Sequence, residues 1–547
     1  MNWDNKYLII RLLALVLAAA VPRATDAAPA VPAPGESLEH QQVQEAGKIE
    51  NTAPAGEAVR TDLRFTLTGI TVEHEDMKLS EEELAKATKA YVDREIGAEE
   101  LNRALDDITR YARTHGYPAA TAYIPDQTAA DRHLLIRIEP GRYGKVKLEN
   151  NSKLKSRLAK GLLSGLKEGD IIRTGNIEDV LFNLRDLSGI ETVGVLSPGE
   201  KQGTSDLTVK VADTKATDLI VYAENYGSKS AGRYRYGLQG SWNNPGGTGG
   251  RLNLGFLISN RRQHGYNIAY EMPVGHSATK IGVGFSRSDY ELGSAFTAFG
   301  AEGIANTWSI YGRTPLWNRA QSSMSLVYGF NYRDIEDELS RYNFSWKKHS
   351  HAFNLGIEGM VRGTGNVMTY NAGVTTGTLT PDSDAAEAMA RAGDTQGRFT
   401  KATFDLNAVH AFDRQFDVML KLSGQKASSN LDSSEHIYLG GARGVRAYPQ
   451  GEASGDEGIL GTLELRYHTK LNGLTLSTYF DAGHVNIAKS GGEGSMTLKG
   501  WGIGLTYVKP NNWFARLDYA RRIGSDELMS DDARSHQRMW FLAGKMF

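Results

Sequence analysis

The sequence predicts a membrane β-barrel of about 16 antiparallel strands, preceded by two small α/β units. Three observations carry that expectation. The chain opens like an exported protein yet has no later apolar run long enough for a spanning helix. Its last 334 residues are dominated by strict two-residue alternation. Ahead of them, a β-α-α-β-β order occurs twice.

Composition sets the outer bounds. The 547 residues are 40% hydrophobic and 23% charged, with a formal net charge of -2. That length suits two or three domains, and no half of the chain carries a basic surplus able to hold nucleic-acid phosphates. Cysteine is absent, which suits an oxidising compartment, where a stray thiol is a liability.

Residues 1–27 read as a signal peptide. Lys6 and Arg11 lead into the apolar run Leu12–Ala20, and small residues follow around Ala27-Ala28. A membrane anchor is the alternative, but the run ends before Pro22 and falls well short of the roughly 20 residues a spanning helix needs. Residues 28–61 form an Ala-, Pro-, Glu- and Gln-rich linker. Within it, Glu36 to Glu50 is either a lone polar helix, which as a plug would sit inside the barrel and close the pore at rest, or disordered.

Residues 62–140 and 141–213 each read as an α/β unit. The first opens with a strand Leu63–Ile70. A capping box of Ser80 and Glu83 then starts a helix through Tyr91. A second helix aligns Leu101, Ala104, Leu105, Ile108 and Ala112 on one face. Strands Ala120–Ile124 and Leu134–Ile138 complete the unit. The second unit repeats the plan: strand Gly144–Leu148, helices Lys153–Gly165 and Asn176–Leu187, and strands Glu191–Leu196 and Asp206–Val211.

Residues 214–547 change character. They hold 44 of the 60 glycines and seven of the eight tryptophans. In Arg233–Trp242, Tyr234, Tyr236, Leu238, Gly240 and Trp242 share one face and polar residues or Gly the other. Leu252–Ile258 and Trp501–Tyr507 alternate likewise. Lipid rewards the apolar face, while a wet lumen tolerates Gly and charge. A soluble β-sandwich also alternates, but it has no need of Tyr and Trp borders at strand ends, as an interfacial girdle has. The last strand is expected over Met539–Phe547, closing the barrel with Phe547 as its terminal signal.

Between Leu439 and Tyr467 the chain reads LGGARGVRAYPQGEASGDEG and then LELRY. This resembles the long sixth extracellular loop of two-partner secretion transporters, the haemolysin secretion/activation (ShlB/FhaC/HecB-type) family of the BamA-like superfamily. Gly116-Tyr117 with Tyr123–Gln127, Leu187–Ile190 with Ser197–Gly199, and Glu224–Gly227 extend the likeness over about residues 60–547. The resemblance implies that the α/β units are polypeptide-transport-associated (POTRA) modules in the periplasm of a Gram-negative-type cell. There they would bind the N-terminal secretion domain of a large, unfolded exoprotein, which the outer-membrane barrel then passes to the cell surface. Outer-membrane lipids and a barrel assembly machinery for insertion are the other implied partners. It also implies that the loop motif Val445, Arg446, Ala447 and Tyr448 folds into the lumen. Arg446 would then meet Asp481 in the wall sequence Tyr479-Phe480-Asp481-Ala482-Gly483. Alternation independently turns Asp481 and Gly483 inward and Phe480 outward. The alternative is that Arg446 and Asp481 are separate charges solvated in a wet lumen. Ala447 departs from the family's usual Gly.

A BamA-like assembly factor is the competing function, although such factors carry more POTRA modules than this chain has room for. Enzymatic readings find no support. Gly451–Gly455 lacks the glycine two residues before Ser454 that a nucleophile elbow needs. His74-Glu75 has no second His at zinc-protease spacing. Gly441–Gly444 lacks the Lys and helix of a phosphate loop. No cofactor, metal or nucleic acid is expected.

Overall fold

The computed structural model describes residues 49–51, 64–127, 132–275, 278–293, 296–492, 494–524 and 535–547. The expected signal peptide and most of the linker lie outside these residues. Of the expected polar helix Glu36–Glu50, the last two residues are instead in a strand, β1 (Ile49–Asn51).

The first α/β unit corrects its opening strand. Leu63–Ile70 is not continuous: β2 (Phe65–Thr66) pairs with β4 (Glu95–Ile96), and a separate β3 (Gly69–His74) follows. The break permits β3 to run parallel to β6 (His133–Glu139). Gly69 faces His133 there, and a Cβ would come within 2.5 Å of that exposed ring, so a larger residue would have to displace it. Ser80 Oγ accepts the Glu83 N–H at 3.4 Å and starts α1 (Glu81–Lys89). The helix stops before Tyr91, whose hydroxyl donates to Asp107 at 2.8 Å. Helix α2 (Ala98–Thr114) buries Leu101, Leu105 and Ile108 on the sheet β3-β6-β5, where β5 is Thr121–Tyr123. Each such side chain contributes about 1.5–3 kcal/mol by leaving water.

The second unit contains β7 (Arg142–Asn151), α3 (Ser156–Leu163), α4 (Thr174–Arg185), β8 (Ile190–Pro198) and β9 (Thr204–Asp213). Its sheet order is β1-β8-β9-β7, so the linker strand β1 adds to the β8 edge in parallel. Ile177, Leu181 and Leu184 of α4 pack on Leu196, Leu207 and Val209.

This unit is bolted to the near end of the barrel. Asp179 of α4 accepts the Asn318 N–H at 2.9 Å and pairs with Arg319 at 3.2 Å. Asp186 pairs with Arg313 at 2.9 Å. Ala278, in a barrel turn, packs into the unit's own core.

The barrel follows as β10 (Thr217–Glu224), β11 (Arg235–Asn243), β12 (Arg251–Ser259), β13 (His264–Pro273), β14 (Lys280–Glu291), β15 (Ala301–Asn318), β16 (Ser322–Leu339) and β17 (Phe344–Gly363). It continues through β18 (Asn366–Pro381), β19 (Gly397–Ala411), β20 (Phe416–Ala427), β23 (Glu457–His468), β24 (Leu474–Asn486), β25 (Ser495–Val508), β26 (Trp513–Arg522) and β27 (Gln537–Met546). Every neighbour is antiparallel, and β27 pairs with β10 to close the ring, which therefore has 16 strands. Closure satisfies every strand edge, the condition for crossing hydrocarbon with β-structure. Trp242, Ile310, Leu355, Val374 and Ile503 stand exposed on the outer face. The last strand starts two residues earlier than expected and ends at Met546. Phe547 lies just beyond it and still donates its N–H to Leu219 at 2.8 Å.

Helix α5 (Asp384–Gly393) sits in the loop between β18 and β19. The loop between β20 and β23, residues 428–456, is the sixth on the outer side. It carries the short strands β21 (Ile437–Tyr438) and β22 (Ser454–Gly455), which pair with each other.

Candidate functional site: the tip of the sixth loop

The sixth loop turns inward because its own sequence folds it into a tight hook. Val445 donates its N–H to Leu439 at 2.7 Å, and Gly444 donates to Gly441 at 3.0 Å. Gly441 has φ 130°, a left-handed backbone that favours Gly. A Cβ on Gly444 would lie 1.9 Å from the Leu439 carbonyl. The hook buries Leu439, Val445, Ala447 and Tyr448 against Tyr479, Val485, Leu498 and Ala520 of the wall. The loop thus has an apolar core of its own on one sector of the lumen.

That core is framed by charge. Arg446 grips Asp481 of β24 in a two-point contact, Nε to Oδ2 at 2.9 Å and Nη2 to Oδ1 at 2.8 Å, and its backbone N–H donates to the same carboxylate at 3.1 Å. Its Nη1 reaches Glu464 of β23 at 3.1 Å and Asp518 of β26 at 3.2 Å. Its Cζ lies 3.1 Å from the centre of the Tyr479 ring. Arg516 of β26 binds Asp518 at 2.7 Å and Glu464 at 3.3 Å, so two guanidinium groups face three carboxylates. Thr462 donates its hydroxyl to Asp481 at 2.9 Å. On the far side, Trp540 of β27 donates its indole N–H to the Arg446 carbonyl at 2.6 Å. Arg522 donates to the Ala447 carbonyl at 3.3 Å, with its Cζ 4.5 Å from the centre of the Tyr448 ring.

The pair is not solvated. Arg446 is 4% exposed and Asp481 1%. Burial removes water from both charges, and the several partners replace it. The arrangement can therefore orient and hold a loop: a planar fork fixes direction as well as distance.

The other expected site residues take distinct places. Val445 and Tyr448 are buried in the loop core, and Gly483 supports it, since a Cβ there would meet Leu439 at 2.8 Å. Phe480 faces outward, exposed, and does not join the cluster. Phe547 lies at the barrel's periplasmic seam, its carbonyl accepting from Lys215. Sequence reasoning missed Glu464, Asp518, Arg516, Tyr479 and Trp540 as partners. The available signal was parity: Phe514, Arg516 and Asp518 alternate with outward Trp513 and Leu517, which turns two opposite charges inward on one strand.

Comparison with known proteins agrees with this geometry. Residues 203–507, more than half of the chain, match the family model described as haemolysin secretion/activation protein ShlB/FhaC/HecB, and residues 65–141 match the ShlB-type POTRA domain. The chain is 25% identical over 531 residues to the heme/hemopexin transporter protein HuxB of Haemophilus influenzae, covering 93% of each chain. The structure of CdiB from Escherichia coli superposes with a TM-score of 0.70 at 18% identity, covering 100% of this chain and 99% of that one. BamA from Haemophilus ducreyi lacking POTRA domains 1-3 gives 0.52 at 14% identity, covering 88% and 100%, so the fold is shared with it as well. The chain belongs to the haemolysin secretion/activation (ShlB/FhaC/HecB) family of outer-membrane two-partner secretion transporters.

Proposed function

We propose that this transporter captures the N-terminal secretion domain of a large exoprotein by strand addition to its periplasmic sheets, and passes the unfolded partner outward through the barrel. The observation that carries the capture step is β1 on β8. The edge of the second sheet already accepts an extended segment, with Ile49, Glu50 and Asn51 opposite Gly194, Val195 and Leu196. Main-chain pairing of that kind binds a peptide with little demand on its sequence. The docking of α4 on barrel residues Asn318 and Arg313 supports this reading, since it ties the capturing unit to the barrel.

In this reading, Arg446 and its carboxylates hold the sixth loop in its secretion-competent position, and the hook keeps the tip from straying into the path. Outer-membrane lipids cover the apolar outer face, and the periplasmic assembly machinery inserts the barrel. The test is deletion of residues 62–213, which removes both sheets and the β8 edge, in cells expressing a candidate partner exoprotein. Export should be abolished while the barrel still inserts, as read by heat-modifiable migration on gels. Normal export by the deletion would overturn the capture step.

A further inference from the structure

A second charged cluster lies where the sixth loop leaves β20, in a wall sector separate from the tip. There the balance is reversed: the wall supplies three cations and one acid, and the loop supplies two acids. Arg333 of β16, Lys348 of β17 and Lys401 of β19 all point into the lumen, since their strand neighbours Tyr332, Phe353 and Phe404 stand exposed on the outer face at opposite parity. Glu435 of the loop pairs with Arg333 at 3.0 Å and Lys401 at 2.8 Å, and all three are buried. Asp432 pairs with Lys348 at 2.7 Å. Asp337 of β16, which accepts the Tyr290 hydroxyl at 2.5 Å, faces Lys348 as well, so three cations meet three acids.

Neutral contacts reinforce the pairs. Lys401 Nζ and Gln425 Nε2 donate to the Glu435 carbonyl at 3.0 and 2.9 Å. Leu431 is buried against Ala352, Phe399 and Ala427. Asp456, at the loop's other end, accepts the Leu431 N–H at 2.9 Å and the Lys489 N–H at 2.7 Å. It also lies 3.1 Å from His436 Nε2. These bonds tie the loop's two stems together above the lumen.

We infer that residues 431–436 are a second mooring of the sixth loop, with Lys348, Lys401 and Arg333 as its positioning residues. The loop is strapped across the lumen between two wall sectors of opposite charge. Unlatching Arg446 alone leaves the loop tethered at its base, so each mooring adds its own share to the cost of releasing the tip. Buried charges have few substitutes: removing one partner strands the other without water. The inference concerns where the loop sits, so it stands or falls independently of what the transporter carries.

The chain has no cysteine, so one introduced thiol reports the loop's position. Arg443→Cys places it on an exposed side chain beside the tip. Intact cells would be treated with a bulky, membrane-impermeant polyethylene-glycol maleimide, which reaches that thiol when the tip leaves the lumen. Lys348→Glu, which sets a carboxylate against Asp432, should speed labelling by about tenfold, whereas Lys348→Arg should label at the parent's rate. Combining Lys348→Glu with Arg446→Ala should multiply the two effects, because each mooring adds to the cost of release. Labelling of Lys348→Glu at the parent's rate would overturn the inference. So would equal acceleration by Lys348→Arg, which would assign the effect to packing. If Lys348→Glu does not insert, Asp432→Asn carries the same expectation and the same reversal.

Discussion

Arg446 and Asp481 meet through two parallel N–H···O contacts of 2.8 and 2.9 Å, 35 residues apart in sequence and sealed from solvent between loop and wall. A pair in a wet lumen would contribute modestly. This one is buried, so the asymmetry of burial governs it: deleting one partner strands the other and costs about 3–5 kcal/mol locally. The barrel's closed hydrogen-bond network is far larger than that.

Arg446→Ala should therefore insert normally yet secrete poorly, because the hook is released from its wall. Arg446→Lys should also be impaired, since an ammonium cannot reproduce the fork or lie flat on Tyr479. Secretion by Arg446→Ala, Asp481→Ala and the double substitution would be compared in the same cells. A shared latch makes the double little worse than either single. Strictly additive losses would show two separate roles.

Much of this site was legible in sequence, and its limits have a physical cause. Alternation fixes which face a residue takes, so Asp481 inward and Phe480 outward could be read from Leu474–Gly483. Alternation says nothing about height along the barrel or which strands lie within reach of one loop. Asp518 is 72 residues from Arg446 and two strands beyond Asp481, and curvature alone brings it to 3.2 Å. Glu435 and Asp432 read as ordinary loop acids because their partners are scattered over β16, β17 and β19. The split of Leu63–Ile70 was hidden for a related reason: the pattern of the segment is continuous, but its two halves pair with different strands.

The second α/β unit should be acid-sensitive through Asp206. A bulge between Tyr143 and Val146 aims the Lys145 N–H at its carboxylate, 2.7 Å away, and Lys147 lies at 3.2 Å. The amide first and the ammonium second hold the Asp206 carboxyl below the usual carboxylate range. A depressed value means that the stabilisation is complete above the unfolded pKa of about 3.9 and is lost as pH falls through the folded one. Hydrogen-exchange protection factors across β7 and β9 in the full chain, corrected for the intrinsic rate at each pH, should fall on acidification in that window. Asp206→Asn should exchange faster at neutral pH and lose that dependence. An unchanged pH profile would remove Asp206 from the account.

Closure of the barrel should depend on Asn225. The seam between β10 and β27 has five paired positions, from Ile220–Met546 to Glu224–Leu542. Just beyond them Asn225 extends the ladder with its side chain, donating to the Met539 carbonyl at 2.9 Å and accepting the Phe541 N–H at 2.7 Å. Asn225→Ala deletes both bonds, each worth about 1 kcal/mol net. The temperature at which the folded band converts on heat-modifiability gels should fall. An equal temperature would show that the backbone bonds of the seam close it unaided.

The alanine at the loop tip should be tolerated because of a glycine on the wall. Ala447 is fully buried, and a Cβ built on Gly500 of β25 would lie 2.6 Å from the Ala447 Cβ, inside any normal contact. One methyl fits between loop and wall, and two do not. Gly500→Ala should therefore lift the tip, and the penalty should fall on Arg446, whose two-point contact with Asp481 needs both oxygens in range. Overpacking of this kind costs about 1–3 kcal/mol, enough to populate unlatched loops without preventing insertion. Ala447→Gly alone should secrete at close to the parent's level. The decisive chain is the double substitution Ala447→Gly with Gly500→Ala, which moves the methyl from loop to wall and restores the volume. Partner secretion should recover in that chain relative to Gly500→Ala. If Gly500→Ala secretes normally, or the double is no better than it, the tip is not seated by this contact.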